Sequence, residues 1–147
     1  MPVAGSECLA EPISNRFGLF QARHGNFALP AEKLIQVLER PLLYVAPGLP
    51  PYSRGLVRFQ EQMVLVLDPG DDPAGRIAES AFVALCGSSM GLVGFGCDAV
   101  RQIVPLTDGV YHDLNEKLCH GAVGTFSHQT DTYTVIDVDL LVECLPE

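Results

Sequence analysis

The chain has 147 residues, and 9 Lys and Arg against 18 Asp and Glu give it a formal net charge of −9 at pH 7. Hydrophobic residues make up 48% of it and charged residues only 18%, so it has enough apolar material for a buried core and too little charge for a disordered chain. Nine scattered basic residues do not supply the clustered Lys and Arg that phosphate contacts need. The composition therefore argues against binding to nucleic acid or to an anionic membrane surface.

Targeting signals are not predicted. The first eleven residues contain two Glu, no Lys or Arg and no apolar stretch, which excludes a secretory signal peptide. The longest aliphatic run, residues 63–67, is far too short to cross a bilayer, so no direct membrane insertion is expected. Five cysteines at wide spacings without a C-x-x-C pair favour free thiols in a reducing cytoplasm.

In chain order, residues 1–15 are small, polar and acidic and are predicted to form a flexible tail. Short β-like runs follow, separated by Gly, Pro, Asn and Asp. They cover residues 16–22, 27–29, 34–38, 55–59, 62–68, 81–86, 90–96, 99–105, 121–127 and 132–137. The run at 34–38 is also compatible with a short helix, because Pro30 suits a first helical turn. About ten short strands with little helix predict an all-β fold.

The clearest break in the chain is residues 68–75, which contain two prolines and three acids. It divides the chain into a first β subdomain, 16–75, and a second, 76–147, which the strand pattern alone leaves open as barrels or a sandwich. The C-terminal strand and helix are free to return to the first subdomain. Asp139 is expected to cap that helix over Leu140–Cys144.

The residues that could carry chemistry do not form a recognisable site. His112, His120 and His128 recur at intervals of eight, with Cys119 beside His120, and this spacing places no two zinc ligands on one turn. The Cys119–His120 pair has no third partner that would make it a nucleophile and base. The sequence therefore predicts no catalytic residue, no metal and no cofactor. A small β-barrel enzyme, or a ligand- or metal-binding protein using Cys119, His112 and His120, remains the alternative.

Five short motifs nevertheless occur in a specific order. They are Phe27-Ala-Leu-Pro30, Leu34-Ile-Gln-Val-Leu38, Pro47-Gly-Leu-Pro50, Arg54-Gly-Leu-Val57 and Val64-Leu-Val-Leu-Asp68. Their order and spacing resemble the CheW family of chemotaxis coupling proteins, whose members read roughly Y-A-L-P, V-x-E-V-L, P-G-x-P, x-G-hydrophobic and P-V-hydrophobic-D-L. Residues 134–141 resemble the closing strand and helix of that family, so the resemblance covers about residues 16–145.

The resemblance implies an all-β fold of two small five-stranded, SH3-like barrels packed together, with a short C-terminal helix. It implies a cytoplasmic, non-catalytic adaptor that couples chemoreceptors to a CheA-type histidine kinase in bacterial chemotaxis or twitching signal transduction. The implied partners are the regulatory domain of that kinase and the tip of a methyl-accepting chemoreceptor.

Carrying the family motifs over residue by residue gives five candidates for the partner-binding surface. They are Leu34, Gln36, Gly55, Arg58 and Gln60. Gln36 stands where the family has Glu, and the family's N-L-R-G reads Arg58-Phe-Gln-Glu61, so the signature Arg and Gly are absent. If Arg58 and Gln60 share one strand face, the Arg58 guanidinium lies near the position of the missing arginine. We therefore predict that Arg58→Ala weakens partner binding more than Gln60→Ala does.

Overall fold

The computed structural model describes residues 12–22, 25–44, 47–49, 53–67, 81–114 and 121–143. Within these residues the chain is mostly β-structure, with two short 3₁₀ turns and one short helix. The strands are β1 (Arg16–Ala22), β2 (Gly25–Pro30), β3 (Leu34–Glu39), β4 (Leu43–Tyr44), β5 (Ser53–Phe59), β6 (Gln62–Leu67), β7 (Phe82–Ser88), β8 (Gly91–Cys97), β9 (Ala99–Pro105), β10 (Val110–Asp113), β11 (Ala122–His128) and β12 (Asp131–Ile136). The 3₁₀ turns are Ala31–Lys33 and Leu106–Asp108, and the helix α1 is Val138–Glu143. The all-β prediction is confirmed, and residues 34–38 are a strand.

The strands form two six-stranded sheets. The central sheet has the order β3-β7-β8-β6-β5-β4, so its strands come from one continuous stretch, residues 34–97. The terminal sheet has the order β9-β1-β2-β12-β11-β10 and combines the N-terminal hairpin with the last four strands. Strand pairing therefore divides the chain differently from a boundary near residue 75, because β7 and β8 pair with the strands that precede them.

Both sheets have the same arrangement of strands. In the central sheet, β8 of the β7–β8 hairpin pairs in parallel with β6, the second strand of the β5–β6 hairpin. In the terminal sheet, β2 of the β1–β2 hairpin pairs in parallel with β12, the second strand of the β11–β12 hairpin. The chain crosses between the sheets at one edge strand of each. It passes from β2 of the terminal sheet into β3, an edge of the central sheet, and from β8 of the central sheet into β9, an edge of the terminal sheet. Strands β9, β10, β11 and β12 thus occupy the positions of β3, β4, β5 and β6.

The buried side chains form three clusters, of which one joins the two sheets. One lies inside the central sheet and includes Val57, Val64 and Leu85, and a second lies inside the terminal sheet around Phe17 and Phe126. The third cluster lies between the sheets and takes side chains from both, including Phe27, Cys86, Phe95 and Ile136. Strand β7 contributes to two clusters at once, since alternate side chains of a strand point to opposite faces. This double burial explains the nearly continuous apolar runs of the sequence.

The ends of the described chain also pack on this core. Helix α1 buries Val138 and Leu141 against the inter-sheet cluster. The residue that caps it is Asp137, whose Oδ1 accepts hydrogen bonds from the backbone N–H groups of Asp139 and Leu140 at 3.1 and 3.2 Å. The helix thus begins earlier than the sequence predicted. Within the described residues no helix is long and apolar enough to span a bilayer.

Two predicted segments fall mainly outside the described residues. They are the break at 68–75 and most of the tail at 1–15. Ser14, from the end of that tail, is buried. Its Oγ lies 2.7 Å from Oε1 of Glu32 and 2.6 Å from the carbonyl oxygen of Arg16, so the residues just before β1 are attached to the first 3₁₀ turn.

Candidate functional site

The five candidate surface residues lie in two separate groups on the central sheet. Leu34 and Gln36 belong to β3, whereas Gly55 and Arg58 belong to β5 and Gln60 follows it. The sheet order places β3 at one edge and β5 next to the other edge. The candidates therefore form two surfaces and not one contiguous patch.

Strand β3 forms the first surface. Leu34 is half-buried and packs against the inter-sheet cluster, while Gln36 is exposed. The register of β3 against β7 shifts between these two residues, so the chain bulges at this point. Ile35 and Val37 are also exposed, although the motif comparison did not single them out. Val37 pairs with Ala84 and Gln36 with Leu85, so Val37 and Gln36 point to opposite faces of the sheet. The sequence signal for them was the apolar run of β3, which only Gln36 interrupts between Leu34 and Leu38.

Gly55 is buried and keeps β4 close to β5. Its φ of +138° lies in a region that residues with a side chain rarely adopt, and a Cβ built on it would lie 2.6 Å from the carbonyl oxygen of Tyr44. Because that oxygen belongs to the backbone of β4, it cannot move aside as the end of a side chain would. Gly55 thus has a structural role at the edge of the surface and presents no side chain to a partner.

Arg58 and Gln60 do not share a strand face. Strand β5 ends at Phe59, and Gln60 and Glu61 form the two-residue turn into β6 with φ values of 49° and 67°. Two left-handed residues are the pattern of a type I′ turn, which normally uses Asn and Gly. The premise that placed Arg58 and Gln60 on one face is therefore wrong. Glu61 holds a backbone conformation that suits the glycine of the related motif.

The hairpin formed by β5 and β6 has one buried and one outward face. Arg58 is paired with Met63, Leu56 with Leu65, and Tyr44 of β4 with Leu56. Paired residues share a face and alternate residues return to it. The hairpin face, defined here as Tyr44, Leu56, Arg58, Met63 and Leu65, is therefore the side opposite to the central core, and at one end of it Leu65 packs against the inter-sheet cluster. Tyr44 and Met63 are 43% and 48% exposed.

Arg58 lies on this face and has no counter-ion among the described residues. Its side chain is exposed, and it makes no hydrogen bond or ion pair with another described residue. Arginine offers a planar fork of donors that suits a carboxylate. The hairpin face thus combines two exposed apolar side chains, Tyr44 and Met63, with an exposed cation.

An ion pair links the two sheets on another side of the molecule. The backbone N–H of Ser89 donates to Oδ1 of Asp139 at 2.7 Å, and Lys33 Nζ lies 3.1 Å from Oδ2. These two contacts hold the pKa of Asp139 below its usual value. The contacts join the start of α1 to the first 3₁₀ turn and to the β7–β8 turn, which supports the relative position of the sheets.

The residues named for the alternative chemistry are only partly described. Cys119 and His120 lie outside the described residues, and His112 is exposed on β10. In the described ranges no group of three or more His, Cys, Asp or Glu side chains is placed to hold a metal ion. Burial raises the pKa of both Cys86 and Cys97 to about 12, which leaves these two thiols protonated and unreactive at neutral pH.

Neither a protein-family model nor a curated protein sequence matches the chain. Its structure, however, is similar to the crystal structure of the scaffolding protein TtCheW from Thermoanaerobacter tengcongensis. The TM-score is 0.69 at 14% sequence identity, and the match covers 88% of this chain and 92% of that one. The CheW-like resemblance and the fold of two SH3-like barrels are therefore confirmed. Each sheet has six strands where five were expected, and one edge of each is a short strand, β4 or β10.

Proposed function

We propose that the chain is a non-catalytic adaptor that couples chemoreceptors to a CheA-type histidine kinase in a bacterial chemosensory pathway, either chemotaxis or twitching. The observation that carries this proposal is the similarity of fold to a CheW scaffolding protein over 88% of the chain. The five sequence motifs, found in the family order, support it independently.

The proposed partners are the regulatory domain of the kinase and the tip of a methyl-accepting receptor, and the proposed location is the cytoplasm. Protein interfaces commonly have an apolar centre and a polar rim. Both candidate surfaces fit this description. On β3, the exposed Ile35 and Val37 supply apolar surface at the edge of the sheet, and Gln36 is exposed next to them in the chain. On the hairpin face, Arg58 is paired with Met63.

The experiment is binding of the purified chain to its cognate kinase and to the cytoplasmic fragment of its cognate receptor. We expect co-sedimentation of the chain with at least one of them at tens of micromolar or below. The chain should also increase the amount of kinase that sediments with receptor, because an adaptor links the two. Failure to bind either protein at that concentration would contradict the proposal.

A variant on β3 tests the first surface. Val37→Asp places a charge in the exposed apolar strip and is expected to weaken binding at least tenfold, because the carboxylate must be desolvated in an apolar interface. Glu39→Asp, on the same strand and exposed, is the conservative control and should bind like the unchanged chain. Equal binding by both variants would remove β3 from the interface.

A further inference from the structure

The two sheets provide an internal comparison, because their hairpins match strand by strand. The β1–β2 and β7–β8 hairpins return at Gly25 and Gly91, and both glycines have a positive φ. The β5–β6 and β11–β12 hairpins close on the pairs Phe59–Gln62 and His128–Asp131. Because β2 and β12 run parallel, the turns of both terminal hairpins lie at the same end of their sheet. This end can be compared with its counterpart in the central sheet position by position.

The two ends carry different side chains. In the central sheet, Phe59 and Leu92 pack against the central core. In the terminal sheet, the residues at the corresponding positions are His128 and Asn26. Because the same positions hold apolar side chains in the central sheet, the fold itself does not require polar ones here.

Two polar side chains at the terminal end are buried and have no hydrogen-bond partner among the described residues. His128 is 7% exposed, and its ring stacks on that of Phe126 with the ring centroids 6.4 Å apart. Tyr133 is paired with Phe126, shares its face and is 2% exposed. Buried polar side chains are normally hydrogen-bonded, and each exception in a native structure needs a physical reason. The imidazole and the phenol therefore offer two hydrogen-bonding groups to a ligand.

One cation and one anion lie beside these two groups. Arg101 of β9 is exposed, and its Nη2 donates to Oε1 of Gln21 at 3.1 Å. Asp131 is paired with His128 and lies two residues from Tyr133, so the three side chains share a face. Burial and the charge of Asp131 raise the pKa of Tyr133, whereas the charge of Arg101 lowers it. Both charges thus lie near the phenol, yet neither has an ion-pair partner among the described residues.

The polar end of the terminal sheet comprises Gln21, Asn26, Arg101, His128, Asp131 and Tyr133. We propose that it binds a small zwitterion of the amino-acid type. The planar fork of Arg101 receives the carboxylate of the ligand, and Asp131 accepts hydrogen bonds from its ammonium group. A ligand with only a negative charge is repelled by Asp131, and one with only a positive charge is repelled by Arg101. This site is an addition to the proposed adaptor function and does not depend on it.

The first test is calorimetry of the full chain with the free L-amino acids found in proteins as probes. We expect at least one of them to bind with a Kd of about 1 mM or below and to raise Tm with increasing concentration. Acetate and methylammonium each carry one of the two charges, and we expect them to bind at least about tenfold more weakly. Acetate binding as tightly as the best amino acid, or no amino acid binding at about 1 mM, would overturn the proposal.

Substitutions show whether binding occurs at the polar end. Arg101→Gln and Asp131→Asn each remove one charge and should weaken binding by about tenfold. His128→Phe introduces the side chain found at Phe59 and should weaken binding as well. The control is Ser127→Ala, since Ser127 lies on the outward face of the same hairpin beside Thr132, and it should bind like the unchanged chain.

Thermal unfolding verifies that each variant is folded. If His128→Phe does not fold, Arg101→Gln still decides the question, because Arg101 is an exposed side chain. Binding by Arg101→Gln and Asp131→Asn as tight as that of the control would place the ligand elsewhere and overturn the proposal. Each of the overturning results would leave the adaptor function intact, because that function is tested with the kinase and the receptor.

Discussion

Substitution of Gly55 by alanine separates a structural role for this residue from a role in partner contact. A Cβ at Gly55 would lie 2.6 Å from the Tyr44 carbonyl oxygen, whereas ordinary contacts begin at 3.4 Å. The backbone of β4 would therefore move outward by about 0.8 Å, the difference between these distances. Leu43, which packs on the central core from the same strand, would move with it.

The chain offers a matched control for the strain at this position. Gly25 has a φ of +141°, close to the +138° of Gly55, but a Cβ there would meet nothing within 4 Å. Gly25→Ala thus measures the backbone strain alone, which is typically about 1–3 kcal/mol. Gly55→Ala adds the steric term, and overpacking typically costs about 1–3 kcal/mol.

We expect Gly55→Ala to lower the free energy of unfolding by about 2 kcal/mol more than Gly25→Ala does. For a chain of this size the difference corresponds to about 4–8 °C in Tm. Urea unfolding followed by circular dichroism measures it, and an unchanged m value would show that the two-state comparison is valid. Equal losses in the two variants would refute the reasoning, because the contact between β4 and β5 would then not depend on the absence of a Cβ.

Three further predictions concern the turn, the inter-sheet ion pair and the thiols. Glu61→Gly should raise Tm and add about 1 kcal/mol of stability, because glycine removes the left-handed strain; unchanged or lower Tm would show that the side chain of Glu61 is not strained. The pKa of Asp139 is lower in the folded chain than the ordinary value of 3.8, so the stabilising effect of this carboxylate is complete above that pH and is lost as pH falls through the folded pKa. Asp139→Asn should therefore destabilise the chain at pH 7 and flatten the acid side of its stability profile, measured by urea titration from pH 7 to 2, and an unaltered profile would contradict this role. With the other three cysteines replaced by serine, Cys86 and Cys97 should not react with a thiol reagent at pH 8 until the chain unfolds, because burial raises their pKa to about 12; rapid modification of the folded chain would contradict their burial.

Local pattern was sufficient to predict most of the strands and the fold class. The hairpin predicted at residues 55–59 and 62–68 is observed at Ser53–Phe59 and Gln62–Leu67, since two short runs rich in β-favouring residues on either side of two polar ones indicate a hairpin. The ordered motifs implied two barrels because each motif marks a strand or turn of the same fold. These signals depend on neighbours in sequence, which a single chain displays directly.

The sequence pattern did not predict the position of the turn within the β5–β6 hairpin. Arg58 and Gln60 are two residues apart, and a strand through both would place them on one face. The chain turns at Gln60 instead, although neither Gln60 nor Glu61 is a residue type that signals a type I′ turn. The position of the turn is determined by the pairing of Phe59 with Gln62, which is a contact across the hairpin.

Sequence alone thus determined that this chain forms short strands, that two of them make the β5–β6 hairpin, and that its motifs follow the CheW order. Tertiary structure decided which strands share a sheet. The parallel pairing of Val135 with Ala28 joins residues from opposite ends of the chain, and β3 and β9 each cross from one sheet to the other. Backbone hydrogen bonds between strands carry no residue-specific signal, so such pairing is settled by burial of both faces of the sheets against the shared inter-sheet cluster.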